Sequence, residues 1–183
     1  MVELDPARYG SPMVVSGERA FPPLGSYVVV HCTGFVPDVI SLGTRCWANH
    51  ALVVTGDRGE CVEAEPGGAR RGHLSEYVGH HLAYCVEGTP GQRLIVAQTA
   101  LTMVGLAYED LDIADLGLRC LGLPWRALNV FVEGHGHGAI CSTLVARCGQ
   151  AAGLDWLCGR PNAAAVTPAD LERRPGVVPF TVG

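Results

Sequence analysis

The apolar positions of this chain fall into two periods. Tyr27-Val28-Val29-Val30-His31, His50-Ala51-Leu52-Val53-Val54 and Glu60-Cys61-Val62-Glu63-Ala64 are short runs rich in β-branched residues and predict strands. Between the last two, Thr55-Gly56-Asp57-Arg58-Gly59 is a turn signal. If Gly56 and Asp57 are the two loop residues of a tight hairpin, Thr55 faces Arg58, Leu52 faces Cys61 and His50 faces Glu63. Directly opposed side chains share a face, with Cβ atoms about 4.5–5.5 Å apart. A longer loop with a bulge breaks that pairing.

Helical spacing takes over further on. Thr89-Pro90-Gly91-Gln92 predicts a helix start, with Thr89 as cap, Pro90 in the first turn and Gln92 closing a capping box. Leu94, Ala97, Leu101 and Val104 then recur as one apolar stripe up to Gly105. Residues 112–121 predict a shorter helix, and 141–152 another, whose core face is Leu144, Val145, Cys148 and Ala152. Thr167-Pro168-Ala169-Asp170-Leu171 starts a short capped helix, Arg173-Arg174-Pro175 closes it, and Val177-Val178-Pro179-Phe180 predicts a last strand. Residues 1–25, rich in proline and glycine, read as a loop-rich lead-in.

With 183 residues, 48% hydrophobic and 17% charged, the chain suits one domain with a substantial core. A net charge of −5 and no basic run argue against a nucleic-acid partner. Met1-Val2-Glu3-Leu4-Asp5-Pro6 lacks the features of a secretory signal, and no apolar stretch is long enough to span a bilayer. The expectation is a soluble protein without a transmembrane segment. It would be cytoplasmic, or delivered to a cell wall by a phage particle or another route that needs no signal peptide.

Cysteines stand at 32, 46, 61, 85, 120, 141, 148 and 158, mostly in apolar company. The chain is too long and apolar for a disulfide-stapled miniprotein, so seven of them read as reduced core residues. There is no CxxC pair, so no structural zinc site is expected.

Cys141 stands apart because the glycine-rich run Glu133-Gly134-His135-Gly136-His137-Gly138 leads into its helix. Unpaired N–H groups of a first helical turn favour a thiolate over a thiol, and the residue's own N–H can bind an oxyanion. The alternative is a small hydrophobe in a buried helix. His50 is a candidate base, or a satisfied core or rim histidine. Glu63 is the candidate orienting group, or an exposed strand carboxylate. Glu65 shares its parity but lies one pair beyond His50; Glu60 has the opposite parity.

His135 and His137 with Cys141 form a His-x-His-x3-Cys arrangement that metals use, but the flanking glycines favour a loop lining the pocket entrance. His73, His80 and His81 read as surface residues, with His80-His81-x3-Cys85 as a weaker metal alternative. Trp47 is a substrate-pocket wall or plain core. Ser142 is a helix-start donor that could touch substrate.

These pieces resemble a known family. Gly43-Thr44-Arg45 with Trp47-Ala48-Asn49-His50-Ala51 looks like its histidine motif, and Val62-Glu63-Ala64 with Gly67-Gly68 looks like its second strand and following loop. His73-Leu74-Ser75-Glu76-Tyr77 resembles the segment that comes next. Ile140-Cys141-Ser142-Thr143-Leu144-Val145, Gly153-Leu154 and Thr167-Pro168-Ala169-Asp170-Leu171 resemble its cysteine helix and tail. The family is the circularly permuted papain-like superfamily of NlpC-type amidases, YiiX-like proteins and lecithin retinol acyltransferase relatives. The resemblance covers roughly residues 24–172, and the family's frequent Gly-Asp before the first strand is Gly25-Ser26 here.

The resemblance implies an α+β papain-like fold in a single domain, a small antiparallel sheet or barrel with the nucleophile helix packed on it. It implies Cys141 as nucleophile, His50 as base and Glu63 as orienting residue, with no cofactor. The implied function is a cysteine peptidase or amidase cleaving amide bonds, foremost in peptidoglycan peptides. Two other readings stay open: a thioesterase or acyltransferase acting on lipid or acyl-protein, and an inactive structural or binding component of a larger assembly such as a phage particle.

Overall fold

The computed structural model describes residues 21–33, 45–65, 68–105 and 141–182. Six strands form one sheet: β1 (Tyr27–Val30), β2 (His50–Val54), β3 (Glu60–Glu65), β4 (Gly68–His73), β5 (Leu82–Cys85) and β6 (Val178–Phe180). Their order is β4-β3-β2-β1-β5-β6, and every neighbouring pair is antiparallel. Among the described residues three α-helices accompany it: α1 (Pro90–Thr102), α2 (Cys141–Ala151) and α3 (Pro168–Glu172). The architecture is α+β. The helix predicted over 112–121 lies outside the described residues.

Both faces of the sheet are covered, which explains the unbroken apolar run of β1. Val29, Ala51, Val53 and Val62 meet Leu144, Val145 and Cys148 of α2 together with Trp156. The other face buries Val28, Val30, Leu52, Val54 and Cys61 with Leu74 and Leu82. Burial of this kind stabilises by about 25 cal/mol per Å² of apolar surface. The predicted core face of α2 is buried as expected, and α2 lies over β2 and β3.

The caps also match. Thr89 accepts from the Gln92 N–H, the Gln92 side chain returns to the Thr89 N–H, and Thr167 and Asp170 do the same for α3. Gln92 Nε2 further donates to the Ala152 carbonyl at 3.0 Å, tying the start of α1 to the end of α2.

Two expectations need correction. The buried face of α1 is Val96, Ala97 and Ala100, while Leu94 is 48% exposed and Val104 37% exposed. Small residues let α1 lie close against α2, and that contact turns the larger side chains outward. The β2–β3 hairpin is not a two-residue turn: Leu52 pairs with Glu63, Val53 with Val62 and Val54 with Cys61. Thr55 N–H donates to the Glu60 carbonyl at 2.8 Å, which leaves Gly56–Gly59 as a four-residue loop.

Candidate active site

Cys141 is the first residue of α2 and is buried against the sheet. His50 opens β2, so its ring stands at the end of the strand, where the Cys141 thiol is one of the groups that act on it. On its other side, His50 Nε2 lies 2.8 Å from Glu63 Oε2. Glu63 is fully buried.

The two-residue register shift preserves parity, so His50 and Glu63 still share a face. They meet diagonally rather than directly. Diagonal positions are about 7–8 Å apart in the backbone, within reach of a glutamate and an imidazole that extend toward each other.

Two residues that sequence reasoning missed complete the site. The Tyr77 hydroxyl donates to Glu63 Oε2, the oxygen that also holds His50. Arg70, directly across the β3–β4 pair from Glu63, places Nη2 2.7 Å from Oε1. Oε1 accepts no hydrogen bond of good geometry among the described residues, and the Arg70 contact is an ion pair. Arg70 also grips Glu65 through Nε at 2.8 Å and Glu76 through Nη2 at 3.0 Å. Tyr77 ends a 3-10 turn, Leu74–Tyr77, started by a reciprocal cap between His73 and Glu76.

Burial by itself would raise the Glu63 carboxyl. Hydrogen bonds from His50 and Tyr77 and the charges of His50 and Arg70 outweigh it, and the group sits below the usual carboxylate range. An ionised carboxylate only accepts, so the proton between the two groups belongs to His50 Nε2. That assignment leaves Nδ1 for the thiol. Burial would lower the His50 ring, but the hydrogen bonds to Cys141 and Glu63, with their charges, push it up to about 10. The arrangement is an imidazole held on one side by an ionised carboxylate.

Glycine at 72 is required by the site. A Cβ there would lie 2.5 Å from Glu63 Oε1 and 3.3 Å from Cys61 Sγ. Glu63 cannot swing aside, because His50, Tyr77 and Arg70 hold it.

The other predicted residues have different places. Trp47 is buried, with Nε1 3.3 Å from Glu172 Oε1 and its ring edge-on to His81 at 4.3 Å, so its ring belongs to the core. Ser142 is fully buried and donates to the Val166 carbonyl at 2.6 Å, which spends its hydroxyl inside the fold rather than on a substrate. Glu60 closes the hairpin loop by accepting from the Arg58 N–H at 3.0 Å, and Glu65 is held by Arg70. His73, His80 and His81 are half-buried rather than surface residues: His73 caps a turn and His80 Nδ1 lies 2.9 Å from the His31 carbonyl. His135 and His137 lie outside the described residues.

The chain shares the fold of YiiX. It aligns with the crystal structure of the metalloprotein YiiX from Escherichia coli O157:H7 at a TM-score of 0.50 and 18% identity, over 88% of this chain and 98% of that one. No family model and no curated protein sequence matches the chain. YiiX is described as a metalloprotein. Among the described residues here, no group of three or more His, Cys, Asp or Glu is placed to hold a metal ion. His50 Nε2 is held by Glu63 at 2.8 Å.

Proposed function

We propose that this protein is a thiol hydrolase of the permuted papain-like type, with Cys141 as nucleophile, His50 as base and Glu63 as orienting group. The observation that carries the reading is the His50 ring set between the Glu63 carboxylate, at 2.8 Å, and the thiol at the first turn of α2.

In this reading His50 Nδ1 takes the thiol proton and Cys141 Sγ attacks the carbonyl carbon of the acyl donor. The first-turn N–H groups of α2 face the charge that develops on the carbonyl oxygen. The imidazolium gives its proton to the leaving amine, the C–N bond breaks, and an acyl-thioester remains. Water then gives a proton to His50 and attacks the thioester. The acid leaves, and Sγ recovers its proton. Glu63 keeps the ring in one tautomer through both halves.

Peptidoglycan peptides are the proposed amide donors, a choice that rests on the resemblance to NlpC-type amidases. The test is turnover of purified cell-wall peptides, beside thioester and lipid-ester donors, by wild type and Cys141→Ala. Amine release lost in Cys141→Ala supports the reading. Turnover that survives Cys141→Ala overturns it. Release of fatty acid instead of amine moves the donor to an ester and leaves the three roles in place.

A further inference from the structure

Glu63 is a buried carboxylate held by more groups than a simple orienting residue needs. His50 comes from β2, Arg70 from β4 and Tyr77 from the turn after β4. Arg70 is itself fixed by Glu65 from the same strand as Glu63 and by Glu76 from the turn. The thiols that feel Glu63 are Cys61 on its own strand and Cys32 beyond β1, and both are pushed up by burial. Cys141 reaches this set through His50.

The donors divide the carboxylate between them. Tyr77 and His50 share Oε2, and Arg70 faces Oε1. A free carboxylate rotates and exchanges its oxygens. Here rotation would take Oε2 away from Tyr77 and Oε1 away from Arg70 together, and Gly72 leaves just enough room for the bound orientation. Burial pushes the Tyr77 hydroxyl up, and the Glu63 charge adds to this, so it remains a donor at neutral pH.

We infer that Tyr77 and Arg70 are positioning residues that lock the Glu63 carboxylate and, through it, the tautomer and orientation of His50. This rests on the proposed role of His50 as base, but its test need not. Tyr77→Phe keeps the packed ring and removes the hydroxyl. Arg70→Lys keeps the charge and loses the fork that spans three carboxylates.

The direct readout is the Nε2–H resonance of His50 in protein with 15N-labelled histidine. It should be protected in wild type and exchange about tenfold faster or more in Tyr77→Phe, with Arg70→Lys between them. The second readout is the pH profile of Cys141 alkylation. Loss of a donor to the ionised carboxylate lets Glu63 take a proton at higher pH, so the acid limb should move up by about one pH unit in Tyr77→Phe. Thermal melts of both variants separate this from a general loss of folding, which lowers the midpoint without moving the limb.

Unchanged Nε2–H exchange in folded Tyr77→Phe and Arg70→Lys overturns the inference. A protected Nε2–H beside an inert Cys141 overturns the proposed function and leaves the positioning role standing.

Discussion

Glu63 stands opposite Leu52 in the β2–β3 ladder, yet its carboxylate binds His50, two residues back along the strand. Face-sharing depends on parity, and a shift of two residues keeps it. The long glutamate side chain covers the remaining distance. A shift of one residue would have turned Glu63 to the other face and dissolved the site.

Cys141 should be the thiol that reacts first. Among the described residues, burial pushes Cys32 and Cys148 up to about 12 and raises Cys61, Cys85 and Cys158 as well. Limited alkylation at neutral pH, read by peptide mass mapping, should modify Cys141 ahead of these. His50→Ala should slow that reaction by about 10²-fold or more. Equal labelling of Cys148 would sink the assignment.

Gly72→Ala should damage the site more than the fold. The added methyl meets the pinned Glu63 carboxylate, and overpacking of this kind costs about 1–3 kcal/mol. Alkylation of Cys141 should fall with it, whereas Gly91→Ala, in the first turn of α1 where a Cβ would meet only Thr89 Oγ1 at 3.9 Å, should leave alkylation alone. Equal rates in the two variants would show that Glu63 has room the geometry denies it.

The His50–Glu63 pair makes stability depend on pH in a defined direction. His50 is raised on folding from 6.5 to about 10, so its contribution is complete below about 6.5 and is lost as pH rises toward 10. Glu63 is lowered on folding, so its contribution is present above its ordinary value of 4.5 and is lost as pH falls below that. The wild-type melting midpoint should therefore decline on both sides of pH 5–6. In Glu63→Gln the alkaline decline should be shallower, and calorimetry across pH 4–10 checks it.

Ser142→Ala separates the buried serine from the neighbouring nucleophile. It removes the donor to the Val166 carbonyl and should cost about 1–3 kcal/mol of stability. Cys141 alkylation of the folded protein should change little. Loss of reactivity with an unchanged melt would return Ser142 to the substrate side.

The sequence by itself determined the elements whose cause is local. Thr89, Pro90 and Gln92 cap α1 as expected, because a capping box closes within four residues. The β-branched runs of β1, β2 and β3 and the helix behind Cys141 are equally legible, and so is the shared face of His50 and Glu63. Tertiary structure decided the rest. Gly-Ala-Arg-Arg-Gly-His carries no strand pattern, yet it forms β4, the charged edge strand that brings Arg70 opposite Glu63. Pairing with β3 supplies the hydrogen bonds that its own side chains do not advertise. The hairpin register was set by a four-residue loop, and the outward turn of Leu94 was set by contact between α1 and α2. Caps and alternation are written within a few neighbouring residues; register, edge pairing and the lock on Glu63 depend on partners that meet only when the chain folds.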